Sequence, residues 1–252
     1  MAGLPVIPLI SMNRIKLGIL QTNHDKSVEV GDAFPDDAHR FRDLFDAQEE
    51  RFQYHIYMTI GGEVPVDVDE QDAFMITGSP LSVLDDHAFM PALLDFIRKC
   101  DDNAKKPLLG VCFGHQAIAM ALGGKVEKST IGWNVGVEPT VFSQIRPWMD
   151  PDITALSMYV FHEDQVTQLP DGCDLLGSNN KCKNASFAKG DHVFTTQAHP
   201  EITYPFMKCV LDYSKSILPE DEIDAIYESA KQEQRGDIFA TWATQFFKKA
   251  IK

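Results

Sequence analysis

The sequence predicts an α/β protein: a parallel sheet covered by helices on both sides, with a helical elaboration at its C-terminal end. Two patterns carry that reading. Short apolar runs alternate with longer amphipathic ones, and the run Pro107 to Val111 is apolar without alternation, as a strand buried on both faces must be. Composition agrees: of 252 residues 44% are apolar and 24% charged, with 16 Gly and 14 Pro, a globular balance that excludes collagen, coiled-coil and disordered chains.

In chain order, Ile15 to Leu20 reads as the first strand. Pro35-Asp36-Asp37 then opens a helical pattern that runs to Phe52, the acids suiting a helix start where N–H groups lack partners. His55 to Ile60 reads as the second strand and Ala73 to Thr77 as the third. A helix follows with Phe89, Leu93, Leu94 and Ile97 at helical spacing, and Pro107 to Val111 is the fourth strand. Lys125 to Phe142 and Ala155 to Phe161 are β-like, and Val193 to Gln197 is the last strand expected. Three amphipathic helices close the chain, near 203–217, 220–233 and 236–250. In the last of them Phe239, Trp242, Phe246 and Phe247 form an aromatic stripe that reads as core packing against the sheet. The expected organisation is an extension over 1–14, an α/β domain over 15–215, and a helical elaboration over 216–252 packed on the same domain.

Charge and cysteine usage remove several classes of function. Lys plus Arg number 23 against 37 Asp plus Glu, a formal charge of −14 that repels phosphate backbones and anionic membranes, so neither nucleic acid nor a membrane is the expected partner. No apolar run reaches the length of a membrane span. The opening Leu4-Pro5-Val6-Ile7-Pro8-Leu9-Ile10 is short, holds two prolines and follows no basic residue, so it does not read as a secretory signal; Met12 is an alternative start to Met1. Five cysteines (Cys100, Cys112, Cys173, Cys182 and Cys209) are too few and too scattered for a disulfide framework, and the expected home is the reducing cytoplasm. In that setting the sequon Asn184-Ala185-Ser186 carries no weight.

The segment that carries chemistry is Pro107-Leu-Leu-Gly-Val-Cys-Phe-Gly-His-Gln-Ala-Ile-Ala119. A lone cysteine in an apolar run is ordinarily core. Here it sits in Gly110-Val111-Cys112-Phe113-Gly114, between a buried strand and a helix rich in small residues. The glycines permit a sharp turn that strains its middle residue and exposes that side chain at the sheet edge. The same turn puts Cys112 at a helix N-terminus, which favours thiolate, and aims the Phe113 N–H at an oxyanion formed there. The other four cysteines lack this context; Cys173 and Cys182 fall in a loop-rich stretch. Among the eight histidines His199 is the expected base: it ends the last strand, Pro200 holds it extended, and Glu201 lies two residues on, on the same side, where a carboxylate fixes the imidazole tautomer.

With both elements in view, the chain resembles the class I (triad) glutamine amidotransferases. Gly110 to Gln116 matches their Gly-x-Cys-x-Gly-His/Gln-Gln signature, and Gln197 to Glu201 their Gln-x-His-Pro-Glu. The resemblance covers residues 15 to 215 and implies a doubly wound, mostly parallel, flavodoxin-like sheet with the nucleophile at its C-terminal edge. It implies Cys112 as nucleophile, His199 as general base and acid, and Glu201 as orienting carboxylate. Thr77-Gly78-Ser79-Pro80 stands where the family has Gly-Gly-Pro; by resemblance Gly78 and Ser79 lend a backbone N–H to the oxyanion, with Ser79 a departure from the pattern. Gly132-Trp133-Asn134-Val135-Gly136 and Phe161-His162-Glu163-Asp164-Gln165-Val166 are similar to stand-alone domains like the amidotransferase part of GMP synthase. That likeness implies Gln116, Trp133, Asn134 and His162 near the substrate.

No cofactor and no metal is expected: His162-Glu163 lacks the second histidine of a zinc-protease helix, and neither a Walker loop nor Gly-x-Gly-x-x-Gly appears. The ATP pyrophosphatase loop of GMP synthase is absent too. The resemblance therefore implies attack on the γ-carbonyl of glutamine or another γ-glutamyl compound through a γ-glutamyl thioester. Three settings stay open: ammonia delivery to a separate synthetase or acceptor subunit, a stand-alone γ-glutamyl peptidase acting on glutathione-like compounds, and a non-catalytic regulatory module that keeps the fold.

Overall fold

The computed structural model describes residues 14–102 and 106–250; the expected extension and the choice between Met1 and Met12 lie outside them. The first two strands are β1 (Ile15–Leu20) and β2 (Phe52–Tyr57), joined through helix α1 (Asp37–Asp46). Next come β3 (Ala73–Ile76), α2 (Met90–Asp102), β4 (Leu108–Val111) and α3 (Phe113–Ala121). Seven strands follow: β5 (Lys125–Lys128), β6 (Asn134–Phe142), β7 (Ala155–His162), β8 (Asp164–Gln168), β9 (Asp174–Ser178), β10 (Ser186–Lys189) and β11 (Val193–Thr196). The chain closes with α4 (Tyr204–Tyr213), α5 (Ile223–Ala230) and α6 (Gly236–Ala250).

Nine strands form one sheet in the order β2-β1-β3-β4-β11-β10-β9-β6-β7, and β5 pairs with β8 apart from it. From β2 to β11 every neighbour is parallel. Beyond β11 the strands run antiparallel. Alternate residues of the parallel strands feed opposite layers. Leu17, Met75, Leu109 and Val111 pack with Phe41 and Phe45 of α1 and with Phe239, Trp242, Phe246 and Phe247 of α6. Phe74, Ile76 and Leu108 pack with Leu93, Phe96 and Ile97 of α2 and Ala117 of α3. A third cluster joins α4 and α5 to Val135, Val137 and Tyr159. The fold is the expected doubly wound sheet, with the aromatic stripe of α6 buried against one face.

Several boundaries differ from expectation. α1 stops at Asp46 and Phe52 begins β2, three residues before the expected start. Period-two burial wins there: Phe52 is buried, Gln53 exposed, Tyr54 half-buried and His55 exposed. The helix expected over 203–217 ends at Tyr213, followed by a short helical turn at Lys215–Ile217, and the next is trimmed to Ile223–Ala230. The β-like stretch from Lys125 splits at the turn before Asn134. β8, β9 and β10 lie outside the expected strands; Cys173 and Cys182 lie in turns beside β9 and β10.

Candidate active site

The parallel register sets three strand ends level. Ile76 of β3 faces Gly110 of β4, and Val111 of β4 faces Thr196 of β11. The residues that leave these strands are Thr77, Cys112 and Gln197, at the C-terminal edge where open α/β sheets place their ligands.

Cys112 has φ 49° and ψ −102°, a positive φ found at no other non-glycine among the described residues. Its N–H donates to the Thr196 carbonyl at 2.8 Å, and its own carbonyl accepts from Gln116 N–H at 3.1 Å, so strand and helix both hold the strained residue. The two flanking glycines are sterically required. A Cβ on Gly110 would lie 2.6 Å from Ile118 Cδ1, and one on Gly114 would lie 2.4 Å from the Ile76 carbonyl oxygen.

His199 is anchored by its N–H to the Tyr159 carbonyl at 2.7 Å, which ties the end of β11 to β7. Its Nδ1 donates to Glu201 Oε1 at 2.8 Å. Gly78 brings base and nucleophile together: a Cβ at that position would stand 2.7 Å from His199 Cε1 and 3.6 Å from Cys112 Cβ. Burial by itself would lower the His199 pKa. The charges of Cys112 and Glu201 and the hydrogen bonds to both outweigh burial and raise it well above the usual imidazole value.

The 77–81 loop is tightly held. Thr22 Oγ1 donates to the Gly78 carbonyl at 3.0 Å, and Ser79 Oγ donates to the Thr22 carbonyl at 2.9 Å while accepting from Leu81 N–H at 3.2 Å. The Ser79 hydroxyl is thus spent on loop structure. Phe113 starts α3, where first-turn N–H groups have no intrahelical acceptor, and its ring is buried against Phe89.

Gln116 Nε2 donates to the Asp164 carbonyl at 2.8 Å and to Gln197 Oε1 at 3.1 Å, and Gln197 Nε2 donates to Cys112 Sγ at 3.5 Å. Gln197, the donor to sulfur, is the opening residue of the Gln-x-His-Pro-Glu motif, and its spacing from His199 is the one sequence signal for it. Trp133 lines the cavity and meets Phe161 edge-on. Asn134 stands behind that lining, with Nδ2 donating to His162 Nε2 at 3.3 Å. His162 Nδ1 donates to the Asp164 carbonyl at 2.9 Å, and burial pushes its pKa down to about 4, so the ring is neutral. Burial also drives the thiols of Cys100 and Cys182 up to about 12 and that of Cys173 up to about 11.

Cys112, His199 and Glu201 open on a cavity of about 930 Å³. Gln116, Trp133, His162 and Asp164 are part of its lining. So are the apolar Val30 and Phe34 from the segment after β1 and Ile202, Phe206, Val210 and Ile217 from in and around α4, beside the charged Asp25, Lys26, Asp37 and Arg40. Phe34 stacks edge-on against Phe206 with centroids 5.3 Å apart.

A strained cysteine elbow, a histidine and its carboxylate at the edge of a doubly wound sheet define a class of proteins. The family model for glutamine amidotransferase class-I matches residues 47–206, a span that contains all three residues. The chain belongs to the class-I glutamine amidotransferase family. γ-Glutamyl peptidase 3 of Arabidopsis thaliana is 33% identical over 172 residues, covering 65% of this chain and 69% of the peptidase. The glutamine-hydrolysing GMP synthase of Mannheimia succiniciproducens is 31% identical over 137 residues, 52% of this chain but 25% of the synthase. In fold, the chain is similar to a solved glutamine amidotransferase from Thermotoga maritima, with a TM-score of 0.72 at 17% identity, covering 95% of this chain and 99% of that one. No helix among the described residues is long and apolar enough to cross a membrane.

Proposed function

We propose that the chain is a cysteine hydrolase of γ-glutamyl amides, with Cys112 as nucleophile, His199 as general base and acid, and Glu201 orienting the imidazole. One observation carries this reading: the strained Cys112 and the His199 ring flank a single point above Gly78, with Glu201 hydrogen-bonded behind the ring. The sulfur, having passed its proton to His199, attacks the γ-carbonyl carbon. The N–H groups of Phe113 and of the 78–79 loop hold the oxyanion, each worth roughly 100-fold or more in rate. Collapse breaks the C–N bond, and the departing nitrogen takes the proton from His199. Water, deprotonated by the same imidazole, then splits the thioester into free acid and Cys112 thiol.

A second reading narrows the leaving group. A cavity of about 930 Å³ sits at the upper end of the roughly 300–1,000 Å³ typical of pockets for drug-sized ligands. Its extent and its mixed lining, apolar side chains beside charged ones, exceed what ammonia needs and suit a larger amine. This favours a peptidase-type activity of the chain alone, over ammonia delivery to a synthetase or acceptor subunit.

An electrophilic glutamine analogue should add to Cys112 and to no other cysteine, and Cys112→Ala should abolish turnover while keeping the fold. Undiminished hydrolysis in that variant refutes the assignment, and absence of labelling under any condition points to a non-catalytic module. Supplied with glutamine and with γ-glutamyl dipeptides, the chain alone should cleave the dipeptides. Hydrolysis of glutamine only on addition of a partner protein would reverse the second reading.

A further inference from the structure

Among the described residues two carboxylates are buried, Glu201 and Asp37, each 5% exposed, and both line the cavity of Cys112. Their surroundings are opposite. Asp37, at the first position of α1, has a partner on each oxygen: Asn23 Nδ2 donates to Oδ2 at 3.0 Å, and the Arg40 guanidinium binds Oδ1. Glu201 accepts from His199 through Oε1, and its Oε2 is buried with no partner among the described residues. The Arg40 guanidinium also donates to the Pro35 carbonyl and lies 3.9 Å over the Phe206 ring, which lines the same cavity as Glu201. A buried carboxylate with a free oxygen attracts a cation of that kind.

We propose that Asp37 is a positioning residue of the catalytic pair: it engages Arg40, so that Glu201 stays with His199 alone, and its own negative charge adds to the field that holds the proton on the imidazole. Burial pushes the Asp37 carboxyl above its ordinary value; Arg40 from its own helix, the Asn23 hydrogen bond and His199 from the turn after β11 pull it back, while Glu201 adds to the rise. Asn23, from the segment after β1, is neutral, and His24 of that segment pairs with Asp36 at 3.4 Å. His199 itself faces Cys112 and Glu201, and His162, which is neutral. The inference rests on the triad reading above, so its test needs no substrate.

The test is the pH dependence of Cys112 alkylation by iodoacetamide, read by mass spectrometry of the Cys112 peptide. The wild-type rate should rise once as the thiolate–imidazolium pair forms and again, at alkaline pH, as His199 gives up its proton. In Asp37→Asn the alkaline step should move to lower pH by roughly half a unit or more. The imidazolium loses one neighbouring negative charge, and Arg40 becomes free to draw Glu201 away; both act in the same direction. Asp37→Ser, smaller and still able to accept from Asn23, gives the same readout should the Asn variant not fold. A step that stays at the wild-type pH in a folded variant, whatever its melting temperature, overturns the proposal. A wild-type profile with no second step removes the triad reading itself, and the proposal with it.

Discussion

At the scale of single residues, the site depends on side chains that are missing as much as on those present. Gly78 is the clearest case, since any Cβ there meets His199 Cε1 at 2.7 Å. Gly78→Ala should fold, because the ring can swing aside, but the base would leave its place over Cys112. Misplacement on the order of 1 Å costs about 100-fold in rate. The measurement is kcat alongside thermal melting, and a variant that melts normally yet keeps full kcat counts against His199 as the base. Cys112, His199 and Glu201 were legible in the sequence because each sits in a motif whose spacing has a mechanical reason. Asp37 was not. Asp36-Asp37 read as acceptors for a helix start, yet the Asp36 side chain makes no cap hydrogen bond and Asp37 turns inward to Arg40 and Asn23. Nothing in the spacing of short polar residues tells an acid that caps a helix from one that enters a cavity.

At the scale of elements, legibility followed hydrophobic pattern. β4 and the stripe of α6 were plain because fully buried strands and aromatic faces leave long apolar records. β9 and β10 left little: in Asp174-Leu175-Leu176-Gly177-Ser178 only two side chains are apolar, and Asn and Lys supply five of the seven residues of the turn 179–185 that follows. Their existence is decided by pairing with β6 and β11, which a local pattern does not record. α6 contributes most to one helical layer. Trp242 is fully buried, meets Phe142 edge-on with centroids 5.1 Å apart, and its Nε1 donates to the Pro151 carbonyl at 3.0 Å. Trp242→Ala should destabilise by about 3–5 kcal/mol, seen as a lowered denaturation midpoint, while molecules that remain folded keep their kcat. A loss below ~1 kcal/mol would mean that α6 is not integral to this layer.

For the whole molecule, buried imidazoles set the pH range of stability. Burial holds His115 down to about 3 and His162 down to about 4, both below the 6.5 of an exposed ring. The unfolded chain therefore binds more protons than the native one between those values, and stability falls as pH drops from about 6.5 toward 4, by the order of a few kcal/mol. His199 has the opposite sign: its pKa is raised on folding, so its contribution is full below about 6.5 and is lost as pH rises through the raised value. Urea midpoints should peak between these limits, and His115→Gln should flatten the acid side; a midpoint unchanged from neutrality to pH ~4 would contradict this balance. β4 and β11 are hydrogen-bonded neighbours, yet the chain between them makes the whole excursion through α3 and β5 to β10. The spacing of sulfur and imidazole is thereby written into interstrand pairing, while Trp133, His162 and Asp164 ride on the detour. The detour also closes back on those strand ends, through the Tyr159 carbonyl on the His199 N–H and the Asp164 carbonyl on Gln116, so reshaping it would be felt at the imidazole as well as in the cavity lining.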